Sequence, residues 1–217
     1  PTGFTGAYGR IGGVLSGDPY YGGFVAALSV GAVQYRVNVS ELRLRDPDDI
    51  VAMDDQSQIY PDVSIGIFGY TRITSGFLEE SILFGGLSMP QALGLDLQFS
   101  DEEGNFNTKR VQHYYGQAGL MKFFDDDSFL EATAWAKYVS NAPANVDFNL
   151  RYQLPFNLWL GAGYSTANTM HLETGVLIGE DVNYGSNHLR IGYGFDYSFT
   201  SFGPFVGPAH EINVSYS

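Results

Sequence analysis

The sequence predicts an all-β fold, an antiparallel transmembrane β-barrel. Apolar and polar side chains alternate along several stretches, and a period of two indicates a β-strand because successive side chains point to opposite sides of the pleat. No apolar run approaches the roughly 18 residues of a transmembrane helix. In lipid, only helices and closed barrels satisfy every backbone polar group. The connections also differ in length between the two ends of the predicted strands, as they do in bacterial barrels.

The composition limits the kinds of site that the chain can carry. Its 217 residues suffice for one large domain or one barrel. Cysteine is absent, which excludes disulfides and thiolate metal sites. The net charge of −13 argues against binding to nucleic acid or to anionic lipid.

We predict eleven strands and no helix, since no capping box opens an apolar run of helical period. The predicted strands are 4–15, 22–37, 61–72, 77–88, 108–123, 129–140, 145–154, 157–166, 169–179, 187–199 and 208–217. The second of these is apolar on both faces and does not discriminate between classes of sheet.

Four later strands show the alternation most clearly. In 129–140, alanines, a leucine and a tyrosine alternate with charged residues and threonine, although Trp135 breaks the polar set. In 145–154, "NVDFNLRYQL", apolar residues alternate with aspartate, asparagine, arginine and glutamine. The stretch "HLRIGYGFDYSF" places aromatic and aliphatic residues on one parity and charges and glycines on the other. The final "HEINVSYS" repeats the pattern.

Connection lengths indicate which ends of the strands lie outside and which lie in the periplasm. Counting back from a last strand that runs inward, the outer connections are 38–60, 89–107, 141–144, 167–168 and 200–207. The periplasmic connections are 16–21, 73–76, 124–128, 155–156 and 180–186. The two longest connections both lie outside, as bacterial barrels favour. By the same count the first strand starts outside, so we expect residues 1–217 to form one barrel domain that lacks N-terminal strands. Three more strands give a barrel of about fourteen.

A soluble β-sandwich is the structural alternative, because it also buries one apolar face. Its core would mix aliphatic sizes, whereas here the apolar parity favours tyrosine, phenylalanine and leucine. Tyrosines near strand ends fit the interfacial girdles of membrane barrels: Tyr138, Tyr152, Tyr164, Tyr197 and Tyr216.

We predict no catalytic, metal or cofactor site. The acidic segments 45–55, 101–107, 124–128 and 179–181 match no EF-hand pattern, and solvated turns explain them because aspartate, glycine and asparagine favour turns. The sequence leaves open whether they bind Ca²⁺. The four histidines have no ligand spacing, and no nucleophile elbow or phosphate loop is present. The glycine-rich "GAGYS" lies inside a strand, where glycines indicate bending or close packing.

The polar parity predicts a set of charges that face the barrel lumen. It comprises Arg110, Lys122, Lys137, Asp147, Arg151, Glu173, Arg190 and Asp196, and Arg72, Glu131 and Glu211 share this parity. Both signs occur in similar number, so these side chains can pair across the interior or line a wet pore. The absence of a single-sign constriction favours an occluded or plugged lumen.

Four segments of the chain carry motifs that are informative together. They are residues 27–49, "ALSVGAVQYRVNVSELRLRDPDD"; residues 84–93, "FGGLSMPQAL"; residues 146–165; and residues 189–217. Together they resemble the PorP/SprF family of type IX secretion outer-membrane proteins. The first resembles a strand and outer loop of that family, the second its "F-x-G-L-S-x-P-x-L" box, the third its "D-x-N…L-W-x-G-x-x-Y" hairpin and the fourth its closing hairpin. These blocks occur in family order over most of the chain.

The resemblance implies a non-enzymatic, multi-pass protein of the bacterial outer membrane. It would bind or anchor type IX secretion components or the C-terminal domains of exported cargo and adhesins, including those of gliding machinery. The residues implied in partner binding lie in the outer "RLRDPDD" loop: Arg43, Arg45, Asp46, Asp48 and Asp49. The same motif can instead serve only to shape the loop, because a proline presets a turn.

Two functional hypotheses follow, both with the lipid bilayer as an obligatory partner. A binding module predicts co-purification with much larger proteins and little conductance. A passive outer-membrane pore or substrate channel predicts steady conductance that changes when Arg151 or Arg190 is neutralised. The sequence identifies neither the cargo nor the stoichiometry.

Overall fold

The computed structural model describes residues 2–37, 56–101, 104–179, 189–200 and 208–216. These residues form thirteen β-strands: β1 (Thr2–Leu15), β2 (Gly22–Val37), β3 (Gln56–Ile73), β4 (Ser81–Met89), β5 (Asp96–Asp101), β6 (Gly104–Lys109), β7 (His113–Phe123), β8 (Phe129–Val139), β9 (Asn145–Gln153), β10 (Leu158–Ser165), β11 (Thr169–Ile178), β12 (Leu189–Ser198) and β13 (Ala209–Tyr216). Within these ranges no helix has the length and apolarity needed to cross a membrane.

Eleven of the strands form one sheet in the order β1-β2-β3-β4-β7-β8-β9-β10-β11-β12-β13. Every neighbouring pair is antiparallel. The all-β class and the eleven predicted strands are therefore confirmed. Pairing between β1 and β13 is not among the strand pairs of the described residues, so these two strands form the edges of the sheet.

The structure differs from the predicted connections mainly around β3 and β4. β3 begins at Gln56, inside the predicted outer connection 38–60. Residues 89–107 were predicted as a single outer connection, but β5 and β6 form a separate two-stranded sheet within it. Because β6 pairs with β5, the predicted strand 108–123 joins the main sheet only at His113. The predicted strand 77–88 begins at Ser81, since a turn precedes it in which the Glu79 N–H donates to the Gly76 carbonyl at 3.0 Å.

Short turns reverse the chain between the later strands. Asn141, Asn157 and Asn168 have φ angles of 67°, 62° and 61°, and asparagine tolerates this left-handed region better than most residues. Between β7 and β8, Asp126 accepts hydrogen bonds from the Ser128 hydroxyl at 2.6 Å and from the Ser128 N–H at 3.1 Å. These hydrogen bonds lower the pKa of the Asp126 carboxyl.

The register separates two faces of the sheet, since residues directly opposite each other in antiparallel strands lie on the same face. The charged face carries Arg151, which is opposite Glu131 and Gly161. The apolar face carries Leu150, opposite Ala132 and Ala162.

Burial differs between the two faces. Most of the buried strand residues lie on the charged face: Val33, Tyr60, Asp62, Asp147, Trp159 and Ser165. Ser81, the first residue of β4, is buried on the apolar face. Large hydrophobic side chains on the apolar face are instead exposed, among them Ile11 (73%), Ile212 (76%) and Leu150 (51%). A water-soluble sheet has the reverse distribution, so this apolar face needs an apolar medium or partner.

Candidate functional site

A cluster of charged and aromatic side chains spans five strands of the charged face. At its centre Arg151 on β9 forms an ion pair with Glu131 on β8, its register partner. The two side chains are 24% and 17% exposed, so the pair is partly removed from water. Such a pair links two neighbouring strands and is disrupted when either charge is removed alone.

Trp159 on β10 continues this cluster. Its position faces the same side as Arg151 because it pairs with Gln153 and Gly175, and it is only 5% exposed. The Arg190 guanidinium carbon lies 4.8 Å from the indole centroid, and that of Arg151 lies 5.9 Å from it. Trp159 therefore contacts two cations through the electron-rich faces of its ring.

Glycines on neighbouring strands make room for these side chains. A Cβ at Gly161 would overlap the side chain of Glu173, and a Cβ at Gly175 would overlap the Trp159 ring. At Gly192 the same ring lies 3.0 Å from the Cβ position. The glycines of "GAGYS" thus serve close packing inside a strand, as the sequence predicts.

Two further pairs extend the polar network towards the opposite strand ends. Lys137 Nζ lies 2.7 Å from an Asp147 carboxylate oxygen, and Asn145 donates to the other oxygen of that carboxylate at 3.3 Å. His171 Nδ1 lies 2.7 Å from Asp196 Oδ1. Lys137 and Asp147 therefore place opposite charges on adjacent strands, and the His171–Asp196 contact adds a polar link between β11 and β12.

Comparison with protein-family models identifies a family for this chain. The model described as type IX secretion system membrane protein PorP/SprF matches residues 22–216. The chain belongs to the PorP/SprF family. The match covers nearly the whole chain, so the resemblance seen in the sequence is confirmed. No curated protein and no solved structure matches the chain.

Family membership makes this chain a membrane protein of the type IX secretion system. PorP/SprF proteins are generally not enzymes. In the part of the chain that the structure describes, no group of three or more histidine, aspartate or glutamate side chains is placed to hold a metal ion. The charged face of this PorP/SprF protein carries ion pairs and cation–aromatic contacts.

The register places six of the charges that were predicted to face the lumen on the charged face of the sheet, and their exposure to a lumen stays a prediction. The six strand residues of that set on the charged face are Lys137, Asp147, Arg151, Glu173, Arg190 and Asp196. Arg110 lies between β6 and β7, and its guanidinium reaches the same face by pairing with Asp62 at 3.0 Å.

Lys122 differs from the predicted grouping. The register pairs it with Ser81 and Leu130, which lie on the apolar face. It stands next to the last residue of β7, where its ammonium group donates to the Glu79 carbonyl of the adjacent turn. The position near the strand end explains how a lysine can occupy this face, because its long stem lets the charge reach polar groups at the sheet boundary.

The predicted partner-binding residues lie outside the described residues: Arg43, Arg45, Asp46, Asp48 and Asp49. Two residues of the network were missed by sequence reasoning, Trp159 and Asp62. Trp159 falls on the polar parity of its strand, between Leu158 and Leu160. A large aromatic residue among polar positions was the available signal, as at Trp135.

Proposed function

We propose that this PorP/SprF protein is a non-enzymatic, multi-pass outer-membrane β-barrel that binds or anchors secreted cargo or translocon components of the type IX secretion and gliding machinery. One observation carries the proposal: an eleven-stranded antiparallel sheet exposes its apolar face and holds its ion pairs on the other. This is the arrangement expected of a barrel wall, with apolar residues towards lipid and polar residues towards the lumen.

Strand length supports the membrane assignment. A tilted transmembrane strand needs about 9–11 residues, and β7, β8 and β9 contain 11, 11 and 9 residues. Closure is part of the proposal, because lipid tolerates no unpaired sheet edge. Further strands between β13 and β1, for about fourteen in total, are the form of closure that the sequence predicts.

The charge pattern supports anchoring more than passive transport. Glu131–Arg151 and Lys137–Asp147 each join opposite charges on neighbouring strands, whereas an open pore more often shows a constriction of one sign. We assign cargo or translocon binding to the outer "RLRDPDD" loop and an occluded interior to the charged face. The alternative function is a passive pore or substrate channel, and it would use the same face as its lining.

A lipid-quenching experiment tests the membrane assignment. Both tryptophans of the chain, Trp135 and Trp159, lie on the charged face. Leu160→Trp adds a third tryptophan on the apolar face, at a site that is 51% exposed. In vesicles of bromine-labelled lipid we expect strong quenching of the added tryptophan and weak quenching of the native pair. Equal quenching of both would contradict the proposed orientation of the sheet.

A purification experiment separates anchoring from transport. The native protein is isolated in mild detergent, and every retained protein is identified. We expect type IX secretion components or cargo C-terminal domains, and we expect loss of these partners when Asp46, Asp48 and Asp49 are changed to asparagine. The same change at Asp125 and Asp127, in the predicted periplasmic turn, is the matched control. Recovery of the protein alone, with steady conductance in planar bilayers, would support the pore instead.

A further inference from the structure

The base of the β5–β6 hairpin lies against the charged face of β2 and β3. Leu95, just before β5, packs on the buried pair Val33 and Tyr60. The Ala92 N–H donates to the Val63 carbonyl at 2.7 Å, and the Arg110 N–H donates to the Leu95 carbonyl at 2.9 Å. The segment before β5 therefore contacts the sheet, and the segment after β6 is hydrogen-bonded to that segment.

Further contacts join the two chain segments of this base. The Gln112 side-chain amide donates to the Ala92 carbonyl at 2.7 Å, and the Tyr114 hydroxyl donates to Gln112 Oε1 at 3.2 Å. We call residues 92–95 and 110–112 the strap. It leaves the sheet after β4 and rejoins it at β7, and between these points Leu95 and Arg110 contact the charged face of β2 and β3.

Three neighbouring residues on the sheet position the carboxylate to which the strap is attached. Tyr8, Gly31 and Asp62 are register partners on β1, β2 and β3. A Cβ at Gly31 would lie 2.5 Å from Tyr8 Cδ1, so the glycine lets the tyrosine ring cross over β2. The Tyr8 hydroxyl then donates to Asp62 Oδ2 at 3.0 Å. The tyrosine thus holds the carboxylate in place.

Arg110 completes the attachment from the strap. Its guanidinium bonds to Asp62 Oδ2 at 3.0 Å, and the two side chains are 14% and 6% exposed. The guanidinium carbon also lies 4.7 Å from the Tyr60 ring centroid. A buried, hydrogen-bonded ion pair of this kind loses much of its stability when one charge is removed, because the other charge is left without a partner.

Beyond this attachment the charged face contains an apolar hollow of about 330 Å³. Its lining includes Ala27, Gly66, Phe68, Tyr115 and Trp135. Gly66 lies four residues after Asp62 on β3, on the same face, so the Arg110–Asp62 contact lies on the predicted outer side of the hollow. A solute that entered from that side would meet the strap first.

We infer that the strap is a closure over the apolar hollow and that the Arg110–Asp62 pair is its latch. The inference rests on the proposed barrel, since only a closed wall makes the strap a barrier. Release of Arg110 frees the hairpin base from the wall and opens the hollow to the outer side. The Tyr8 hydrogen bond holds the Asp62 carboxylate in position for Arg110 and so strengthens the latch.

Cysteine labelling in intact cells tests the latch, because the chain has no native cysteine. Ala27→Cys places a thiol in the hollow, and a bulky water-soluble maleimide is applied from outside. We expect Arg110→Met to accelerate labelling at least tenfold and Tyr8→Phe to accelerate it less. The exchanged pair Arg110→Asp with Asp62→Arg should restore slow labelling.

The matched control lies at the other end of the same strand. Arg72 on β3 pairs with Glu80 and lies 4.5 Å from the Tyr20 ring centroid, so Arg72→Met removes an equivalent set of contacts away from the strap. It should leave the labelling rate unchanged. An unchanged rate in both Arg110→Met and Tyr8→Phe, or fast labelling without either change, would overturn the latch. The lipid-quenching experiment tests the barrel separately, so the two failures are distinguishable.

Discussion

Substitution of Gly175 by alanine tests how Trp159 is packed. The Cβ position at Gly175 lies 2.5 Å from the Ile191 carbonyl oxygen and overlaps the Trp159 ring. Neither neighbour can move freely, because the carbonyl belongs to the sheet backbone and the indole also contacts Gly192. Overpacking of this kind costs about 1–3 kcal/mol.

Gly194 is the matched control: it lies on β12, on the same face, two residues beyond Gly192, which is the register partner of Gly175. A Cβ there would meet only Glu211, at an ordinary contact distance of 3.8 Å. Gly194→Ala should stabilise the protein by roughly 0.4–1 kcal/mol, since alanine reduces the entropy of the unfolded chain. The two variants should therefore differ by at least about 1.4 kcal/mol, a tenfold change in the unfolding equilibrium constant.

The assay is urea unfolding in lipid vesicles, followed by tryptophan fluorescence. With Trp135→Phe in the background, Trp159 is the single emitter, and its native burial of 95% follows from its 5% exposure. We expect Gly175→Ala to shift the emission as well as the midpoint. Equal stability of the two glycine variants, with unchanged emission, would refute the packing argument.

Three further predictions concern the ion pair, a turn and the apolar face. A double-mutant cycle of Glu131→Gln and Arg151→Met should give a coupling energy of about 0.5–3 kcal/mol in urea unfolding; zero coupling would mean that the contact contributes nothing. Because the folded-state pKa of Asp126 is lowered, its contribution to stability is present above the ordinary aspartate pKa and is lost as the pH falls through the lowered value. Ser128→Ala removes the hydroxyl hydrogen bond and should flatten this acid dependence in a pH series of unfolding curves, and an unaltered slope would contradict the cause given. Leu150→Arg should cost about 2–4 kcal/mol in vesicles if the residue lies near the bilayer midplane, whereas a cost near zero would place it away from lipid.

The sequence predicted the main sheet well because alternation reports a real physical difference between the faces. Leu150 and Arg151 occupy neighbouring positions that need different surroundings, and this requirement is visible without a structure. The β5–β6 hairpin was missed because its two strands of six residues pair only with each other. Because neither strand belongs to the main sheet, the difference between its two faces does not impose an alternation on the hairpin sequence.

The contacts across the charged face were less predictable than the strands. The alternation predicted that Arg110 and Arg151 share a face, but it could not show that Arg110 pairs with Asp62 and Arg151 with Glu131. Such choices depend on register, which fixes which residue stands opposite which. Lys122 shows the same dependence, since the β7–β8 pairing places it opposite Leu130.

The strand order of the main sheet follows the chain, with each strand beside the one before it apart from the β5–β6 excursion. Contacts between neighbours in the chain close short loops, and chains rich in such contacts fold faster than chains with distant pairings. Assembly can therefore proceed by successive addition of hairpins. Gain or loss of a whole hairpin at either margin would alter the width of the sheet while leaving every remaining pair in its present alignment.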